Sequence, residues 1–295
     1  SPYDGLRDFF TACPNCRVDY IGIHFYMGAM ESVKGSIDLL WEQFHKPVWL
    51  TEFNMDKNGM GDNGTADEQR AFMVKMIDWM ERDPHVYRYA WFLGRGGIIT
   101  DLIGSDKKTP TLLGKVYANM SSYDSTFYHA LNTRIEAEHY IDAENFSLVE
   151  STDTDGQLSV GYTQQGTRLA YQVDVPSAGE RTLSLRHAGE QETWFDVYSN
   201  NVYLATLHLP ATGGWTTWQT LTQEVTLTAG KQTIEFRLTA GGCDLNWLSF
   251  TSEEADILSA FEDGVSTPLK RISPNGQLII YVGDQQFNIL GQSVR

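Results

Sequence analysis

A single acidic side chain, Glu52, closes an apolar run in the stretch KPVWLTEFN, residues 46–54. A short apolar run is typical of a buried strand, and glutamate is rarely buried without a partner. One interpretation is a catalytic carboxylate at the mouth of a barrel, because a carboxylate can attack or stabilise an oxocarbenium centre of a sugar. The other interpretation is a loop acid that follows a strand.

Two further predicted strands end in groups that could line a sugar cleft. His24 and Tyr26 close the stretch VDYIGIHFY, and Trp91 follows RYA. An acid, an imidazole and aromatic faces suit a carbohydrate, since aromatic rings stack on the apolar faces of pyranose rings. Each residue also has a structural interpretation, as a core histidine for His24 and as core aromatic residues for Tyr26 and Trp91.

The elements that carry these residues alternate between strand and helix patterns. SIDLLWEQF reads as a helix, PVWLTEF as a strand, TADEQRAFMVKMIDWMERD as a helix capped by Thr or Asp, and VYRYAWFL as a strand. Strands that alternate with helices predict parallel β/α units. We therefore predict that residues 1–131 are part of a (β/α)8 TIM barrel, a fold in which active-site groups lie at the C-terminal ends of the strands.

Four stretches of this region resemble the C-terminal half of the Asl1-like catalytic domain of glycoside hydrolase family 128. They are LRDFFTACPNCRVDYIGIHFY, FHKPVWLTEFN, DPHVYRYAWF and TPTLLGKVY. The resemblance implies a retaining endo-β-1,3-glucanase in which Glu52 is the nucleophile. It also implies that His24, Tyr26 and Trp91 line the sugar cleft.

The second carboxyl that a retaining glycosidase needs is not apparent in the sequence. The family carries its acid/base in an Asn-Glu-Pro motif, which this sequence lacks, while Asp19 precedes its strand and Asp101 sits in a Gly-rich loop. Eight strands close such a barrel, and three can be counted before the β-rich region. We therefore expect a C-terminal portion of a longer enzyme, and no hydrolysis by this portion alone.

Residues 132–252 change to short alternating strands punctuated by Gly, Pro and Asn, which predicts an all-β jelly-roll sandwich. Glu136 and Glu138 lie two apart and so share a strand face, where they are either a Ca²⁺ site or two solvated acids. Trp215 follows a Gly pair and is either a binding aromatic or a packed residue. YDSTFYHALN reads as the linker that precedes this region.

Three stretches of the sandwich resemble a family 6 carbohydrate-binding module. They are RIEAEHY, LSVGYTQQGTRLAYQVDVPSAGERTLSLRHAG and TGGWTTWQTLTQEVTLTAGKQTIEFRLTAGGCDLNWLSF. The resemblance implies that Tyr162 and Trp215 grip a sugar ring beside Asp244, at a position where the family has Asn. It implies structural Ca²⁺ on Glu136, Glu138 and Asn246. A further departure from the family is Arg168, at a position where the family commonly has Trp. We assign Trp218 and Trp247 to the core of the sandwich.

Residues 253–295 predict a small β-hairpin around a Gly-Asp turn. The stretch NGQLIIYVGDQQFNILGQSVR resembles the C-terminal sorting domain of type IX secretion, which implies a secreted or cell-surface protein. The alternative is an ordinary terminal hairpin.

Bulk properties narrow the classes of partner. A net charge of −16 disfavours nucleic acid, and no run of 18 apolar residues would span a membrane. Cys13 and Cys16 predict a local disulfide or two packed thiols, because nothing nearby completes a zinc site.

We therefore predict a monomeric, polysaccharide-degrading glycoside hydrolase. The alternatives are a non-catalytic glucan- or xylan-binding protein and a barrel glycosidase of another specificity.

Overall fold

The computed structural model describes residues 2–120, 122–154, 156–252 and three short strands nearer the C-terminus. The chain forms two compact units, Ser1–Thr251 and Ser252–Arg295. In the described residues, no helix combines the length and apolar character needed to cross a membrane.

The first part of the larger unit is a layer of helices against a parallel sheet. Its strands lie in the order β1-β2-β3, and all pairs are parallel. The elements are α1 Pro2–Ala12, β1 Ile21–Tyr26, α2 Met30–Phe44, β2 Val48–Asn54, α3 Ala66–Met80, β3 Val86–Trp91 and α4 Leu112–Asn119. Alternating strands and helices agree with the prediction, while the closed barrel, which needs eight strands, stays a prediction.

One face of this sheet is buried and the other is open. Leu50 and Phe53 are fully buried in a core that also contains Met73 of α3. On the opposite face, Trp49 and Tyr87 are 39% and 40% exposed. We call this opposite side of the β1-β2-β3 sheet the open face.

Helix α3 begins as the sequence predicts. The Thr65 side chain accepts a hydrogen bond from the Glu68 backbone N–H, and the Glu68 carboxylate accepts one from the Thr65 N–H. This reciprocal capping box satisfies two donors that the first helical turn leaves without partners. The helix is therefore fixed at its start, before its Met and Ile residues reach the core.

The second part of the larger unit is a sandwich of two six-stranded sheets. One sheet has the order β13-β10-β15-β8-β7 with β5 on β15, and the other has β12-β11-β14-β9-β4 with β6 on β9. The strands are β4 His129–Ala130, β5 Arg134–Glu136, β6 Asp142–Glu144, β7 Ser147–Glu150, β8 Leu158–Gly161, β9 Arg168–Val175, β10 Gly179–Gly189, β11 Thr193–Ser199, β12 Val202–Leu209, β13 Gly214–Leu227, β14 Gly230–Ala240 and β15 Asp244–Thr251.

Strand alternation builds the sandwich core. Phe195 and Val197 of β11 are fully buried, while Asp196 between them is partly exposed. Phe236 of β14 packs edge-on to Tyr171 of β9 with 5.9 Å between ring centroids. Residues at every second position therefore point to the buried side of the sheet, as the sequence pattern indicates.

The two parts of the larger unit are joined by more than the predicted linker. Strand β4 lies within that stretch and pairs with β9, so residues 129–130 already belong to the sandwich. Arg82, just after α3, donates hydrogen bonds to Asp142 Oδ1 at 3.0 Å and to the Ile141 carbonyl at 2.9 Å. The helix layer therefore packs directly on the sandwich.

The smaller unit contains an antiparallel sheet in the order β16-β17-β18, with strands Leu269–Ile272, Leu278–Val282 and Gln285–Phe287. The predicted hairpin corresponds to β17 and β18, and β16 is an additional strand. The rest of the predicted sorting segment lies outside the described residues.

Candidate functional site

The register between β1 and β2 brings three of the predicted residues together. His24 and Glu52 are direct partners across the two strands. Tyr26 lies two residues after His24 and therefore on the same face. Its hydroxyl donates a hydrogen bond to Glu52 Oε2, and His24 Nδ1 lies 3.5 Å from the same oxygen.

An extra residue in β2 places Glu52 on the open face. Leu50 pairs with Ile23 and Glu52 pairs with His24, so Thr51 has no partner of its own on β1. Simple alternation from Leu50 would turn Glu52 towards the helices. A bulge of this kind re-aims the side chains that follow it, and such bulges are common beside active sites. The carboxylate is consequently on the solvent side, with its side chain 33% exposed.

Tyr26 keeps its proton in this position. Burial raises the pKa of its hydroxyl well above the ordinary value, and the hydrogen bond to Glu52 raises it further. The phenol therefore remains a donor and fixes one carboxylate oxygen of Glu52. A carboxylate held in this way can serve as a nucleophile or as a base.

The structure places Trp91 in the core and not beside Glu52, which corrects the prediction. Trp91 pairs with Phe53 across β2 and β3, and the two rings meet edge-on at 5.1 Å. Its indole N–H donates to the Thr100 carbonyl at 2.9 Å, and the residue is 7% exposed. Because paired residues on parallel strands share a face, Trp91 follows Phe53 towards the helices.

Asn54 is a member of this group that the sequence analysis missed. It pairs with Tyr26, its amide donates to the Phe92 carbonyl at 2.7 Å, and its buried Oδ1 has no hydrogen-bond partner among the described residues. The Phe92 ring lies edge-on to Tyr26 at 5.7 Å. Asn54 follows Glu52 by two residues, so strand periodicity was a signal that could have found it.

Neither alternative acid considered from the sequence contacts Glu52. Asp101 accepts hydrogen bonds from the backbone N–H groups of Gly96 and Gly97, and Asp19 pairs with Arg17 at 3.1 Å. Within the described residues, the hydrogen-bond and ion-pair partners of Glu52 are Tyr26 and His24. The site as described therefore holds one carboxylate and two groups that orient it.

A second candidate site lies in the sandwich, where Tyr162, Trp215 and Asp244 line one cleft of about 470 Å³. The two rings are 69% and 43% exposed. Tyr162 follows β8 with a left-handed backbone, φ 52°, which is uncommon outside glycine. The structure thus assembles the three residues predicted to grip a sugar, from three separate strands or strand ends.

The carboxyl group of Asp244 lines this cleft and is partly buried. Burial raises its pKa to about 6, and the Tyr162 backbone N–H works against that rise by donating a hydrogen bond to it. A Cβ at Gly161 would lie 2.8 Å from Asp244 Oδ1, so glycine there leaves room for the carboxyl. At neutral pH the carboxylate can accept hydrogen bonds from sugar hydroxyls.

Two tryptophans differ from their expected roles, and Arg168, which replaces a family Trp, forms ion pairs. Trp218 and Trp247 are partly exposed and lie outside the core, which corrects the prediction. The Trp218 indole donates to Thr152 Oγ1 at 2.9 Å, beside the sandwich cleft. Arg168 pairs with three carboxylates, Asp142 at 2.5 Å, Glu144 at 3.0 Å and Glu235 at 3.2 Å.

The predicted calcium ligands fit a cation in part. Glu138 Oε2 and Asn246 Oδ1 are buried oxygens without hydrogen-bond partners among the described residues. Burial raises the pKa of Glu138 to about 8, and the neighbouring Glu136 adds to the rise. Glu136 itself pairs with Arg134 at 2.7 Å. Unpartnered hard oxygens are what Ca²⁺ requires, so Glu138 and Asn246 fit better than Glu136 does.

A different cluster contains side chains that could bind a metal ion, but it lies too far from Glu52 to take part in its chemistry. Asp38, Asp83 and His85 place ligand atoms within 4.8 Å of one another. Both oxygens of Asp83 already accept hydrogen bonds, from the Trp79 indole at 3.0 Å and the His85 backbone N–H at 2.9 Å. The cluster precedes β3, at the opposite end of the sheet from Glu52.

Two families match the chain, one in each part of the larger unit. Residues 3–117 match the family described as glycosyl hydrolase catalytic core. Residues 136–252 match the family described as carbohydrate binding module (family 6). The chain thus contains a segment similar to a glycosyl hydrolase catalytic core, followed by a segment similar to a carbohydrate-binding module. The resemblances to a glycoside hydrolase catalytic domain and to a family 6 carbohydrate-binding module are therefore confirmed. Membership of glycoside hydrolase family 128 and the sorting signal stay predictions.

Curated relatives match only parts of the chain. Clotting factor G alpha subunit of Tachypleus tridentatus is 28% identical over 121 residues, which are 40% of this chain and 18% of that protein. Alkali-sensitive linkage protein 1 of Schizosaccharomyces pombe is 29% identical over 89 residues, 30% of this chain and 17% of that protein. The chain thus spans less than a fifth of the length of either relative.

A solved structure is similar to the sandwich. The carbohydrate binding module from Cellvibrio mixtus lichenase 5A, in complex with cellotriose, is 31% identical, covers 42% of this chain and 99% of that chain, and gives a TM-score of 0.39.

Proposed function

We propose that this chain belongs to a secreted, retaining endo-β-1,3-glucanase whose nucleophile is Glu52 and whose sandwich holds the enzyme on its polysaccharide. The observation that carries the proposal is the turn of Glu52 onto the open face, where the Tyr26 hydroxyl and His24 orient its carboxylate. The β-1,3 linkage rests on the resemblance of the first 120 residues to the Asl1-like domain. The disulfide Cys13–Cys16 supports an oxidising, extracellular location.

In a retaining mechanism Glu52 attacks the anomeric carbon and a second carboxyl protonates the leaving oxygen, from about 5–5.5 Å away. The covalent glycosyl-enzyme is then hydrolysed by water that the second carboxyl activates. Tyr26 holds one oxygen of Glu52 so that the other can face the sugar. The acid/base is not among the described partners of Glu52.

The decisive experiment compares Glu52→Gln with wild type for release of reducing sugar from laminarin, with both measured in an enzyme that also supplies the acid/base. We expect the variant to lose at least about a hundredfold in rate, since covalent catalysis needs the carboxylate. We also expect it to bind laminarin as tightly as wild type, because Tyr162 and Trp215 are unchanged. Glu42→Gln, an exposed acid on α2, is the matched control and should keep full activity.

Two results would change the proposal. Hydrolysis retained in Glu52→Gln would remove the nucleophile role from that residue. Wild type that binds laminarin but hydrolyses neither laminarin nor xylan would favour the second candidate function, a polysaccharide-binding protein. The cleft between Tyr162 and Trp215 favours that second function, because exposed rings beside a carboxyl suit a sugar without any need for catalysis.

Xylan is the alternative ligand to β-1,3-glucan. Endo-1,4-beta-xylanase B of Cellvibrio japonicus is 36% identical over 81 residues, 25% of this chain and 13% of that protein. Affinity electrophoresis of wild type in gels that contain laminarin or xylan separates the two, and retardation by xylan alone would replace glucan as the proposed polysaccharide.

We further propose that Ca²⁺ stabilises the sandwich through Glu138 and Asn246, with Glu136 beside them. Ala137, adjacent to Glu138, donates its backbone N–H to the Asn246 carbonyl at 2.9 Å. A cation here would tie the first part of the sandwich to β15. Its role would be structural, since these residues are separate from those that line the cleft.

A further inference from the structure

We propose that a second cleft, between helix α3 and the sandwich, binds the same neutral polysaccharide chain that occupies the Tyr162–Trp215 cleft. This inference rests on the proposed function and extends it to a longer ligand. We call the site the α3 cleft. Its lining includes Lys75, Asp78, Asn145, Phe146, Tyr162 and Gln164.

The two clefts share one residue and are of suitable size. The α3 cleft has a volume of about 660 Å³, and the Tyr162–Trp215 cleft has about 470 Å³. Both lie within the range of about 300–1,000 Å³ that is usual for ligand sites. Tyr162 lines both clefts and its side chain is well exposed, so a chain bound at one cleft can continue past this ring into the other.

The lining of the α3 cleft combines the two kinds of surface that a sugar presents. Ala71 and Val74 of α3 and Phe146 of the sandwich supply apolar surface. Lys75 and Gln164 are exposed polar side chains at the same cleft. Pyranose rings have apolar faces and hydroxyl edges, so this mixture suits a polysaccharide better than a purely apolar ligand.

The charges of the α3 cleft favour a neutral ligand. Lys75 and Asp78 are of opposite sign and lie three residues apart on α3, which places them on one side of the helix. Glu144 is already paired with Arg168 at 3.0 Å. Burial raises the pKa of Asp78 to about 7, so this carboxyl is partly protonated at neutral pH. An anionic or cationic ligand would require a lining with charges mainly of the opposite sign, and the described lining has no such excess.

Only the packing of α3 on the sandwich creates this cleft. The hydrogen bonds from Arg82 to Asp142 and Ile141 hold the end of the helix against the strand that precedes Asn145 and Phe146. The isolated sandwich would present only its own half of the lining. The site is therefore a property of the joined chain and separate from the cleft within the sandwich.

The test measures binding by isothermal titration with laminari- and xylo-oligosaccharides, from disaccharide to hexasaccharide. Wild type should bind the hexasaccharide of its preferred series more tightly than the disaccharide. The variant Lys75→Met/Gln164→Ala should lose about tenfold in affinity for the hexasaccharide, since two hydrogen-bonding groups are removed. Its affinity for the disaccharide should be unchanged. Gln165→Ala, an exposed neighbour that does not line the cleft, is the matched control.

A second variant, Ala71→Arg, blocks the cleft from an exposed helix position and should give the same selective loss. Melting temperatures confirm that each variant is folded. Unchanged hexasaccharide affinity in both variants, with disaccharide binding intact, overturns the α3 cleft and leaves the proposed function standing. Failure of wild type to bind any of the oligosaccharides overturns the binding role of the sandwich, and the α3 cleft with it.

Discussion

Single residues decide what the open face of the sheet can do. Thr51 is the residue of β2 without a partner on β1, and its hydroxyl donates to the Ile23 carbonyl at 3.1 Å. Because of this one extra residue, Glu52 and Asn54 follow His24 and Tyr26 onto the open face, while Phe53 points into the core. Deleting Thr51 would therefore turn the Glu52 carboxylate into the core and the Phe53 ring out to solvent.

At the same scale, Asp244 should make stability depend on pH. Its pKa is about 6 in the folded chain against about 3.9 in an unfolded one. The carboxyl holds its proton more tightly when folded, so its contribution to stability is full below pH 4 and is lost as the pH rises through about 6. We expect Asp244→Asn to melt with wild type near pH 4 and a few degrees above it near pH 7.

Thermal melts followed by circular dichroism across this pH range provide the measurement. Asp174→Asn, an exposed acid on β9, is the control and should track wild type at every pH. A constant difference between Asp244→Asn and wild type from pH 4 to pH 7 would contradict a raised pKa at Asp244.

Elements carry the contact between the two parts of the larger unit. Helix α3 reaches the sandwich through the Tyr140 hydroxyl, 3.4 Å from both Asp78 oxygens, and through Arg82 just beyond its end. Lys115 of α4 pairs with Glu150 of β7, so a second helix also contacts the sandwich. The helix layer and the sandwich consequently support each other.

Removing Arg82 tests this contact. Arg82→Ala loses the hydrogen bonds to Asp142 and the Ile141 carbonyl, and we expect the free energy of unfolding to fall by about 1 kcal/mol, because both bonds are partly exposed to solvent. Urea denaturation measures the change. Arg95→Ala, in an exposed loop, should change it by less than about 0.5 kcal/mol. Equal stability of Arg82→Ala and wild type would mean that the contact contributes nothing measurable.

For the whole molecule, the layout places a carboxylate on an open sheet face and two clefts along a sandwich within one compact unit. The surface is strongly acidic, with a net charge of −16, which suits neutral polysaccharides and cations more than phosphate-bearing ligands. A bound cation would offset part of this charge where Glu136 and Glu138 lie close together.

Calcium should therefore raise the stability of the chain as a whole. A ligand that binds only the folded state at a hundred times its Kd adds about 2.7 kcal/mol, or several degrees in Tm. We expect this rise when Ca²⁺ is added to chelator-treated wild type, and none in Glu138→Gln. Glu180→Gln, an exposed acid on β10, should respond as wild type does. The same Tm for wild type with chelator and with millimolar Ca²⁺ would count against the site.

Local patterns were sufficient to predict much of the architecture. Alternating apolar residues predicted the sandwich strands, and a Thr or Asp cap predicted the start of α3, because both signals act between residues close in sequence. The Gly-flanked Trp215 and the strand-end Glu52 were also recognisable, since an apolar ring in a Gly loop is costly to expose without a purpose and a glutamate is rarely buried without a partner.

Other features depended on partners far along the chain. Trp91 was predicted beside the sugar, but its pairing with Phe53 turns it to the core. The side to which Glu52 points depends on the unpaired Thr51, and the α3 cleft exists because α3 packs on the sandwich through contacts such as Arg82 with Asp142. The sequence alone determined the elements and the residue types at their ends. The tertiary structure decided which face and which neighbour each side chain meets, because strand register and helix docking are set by contacts between distant residues.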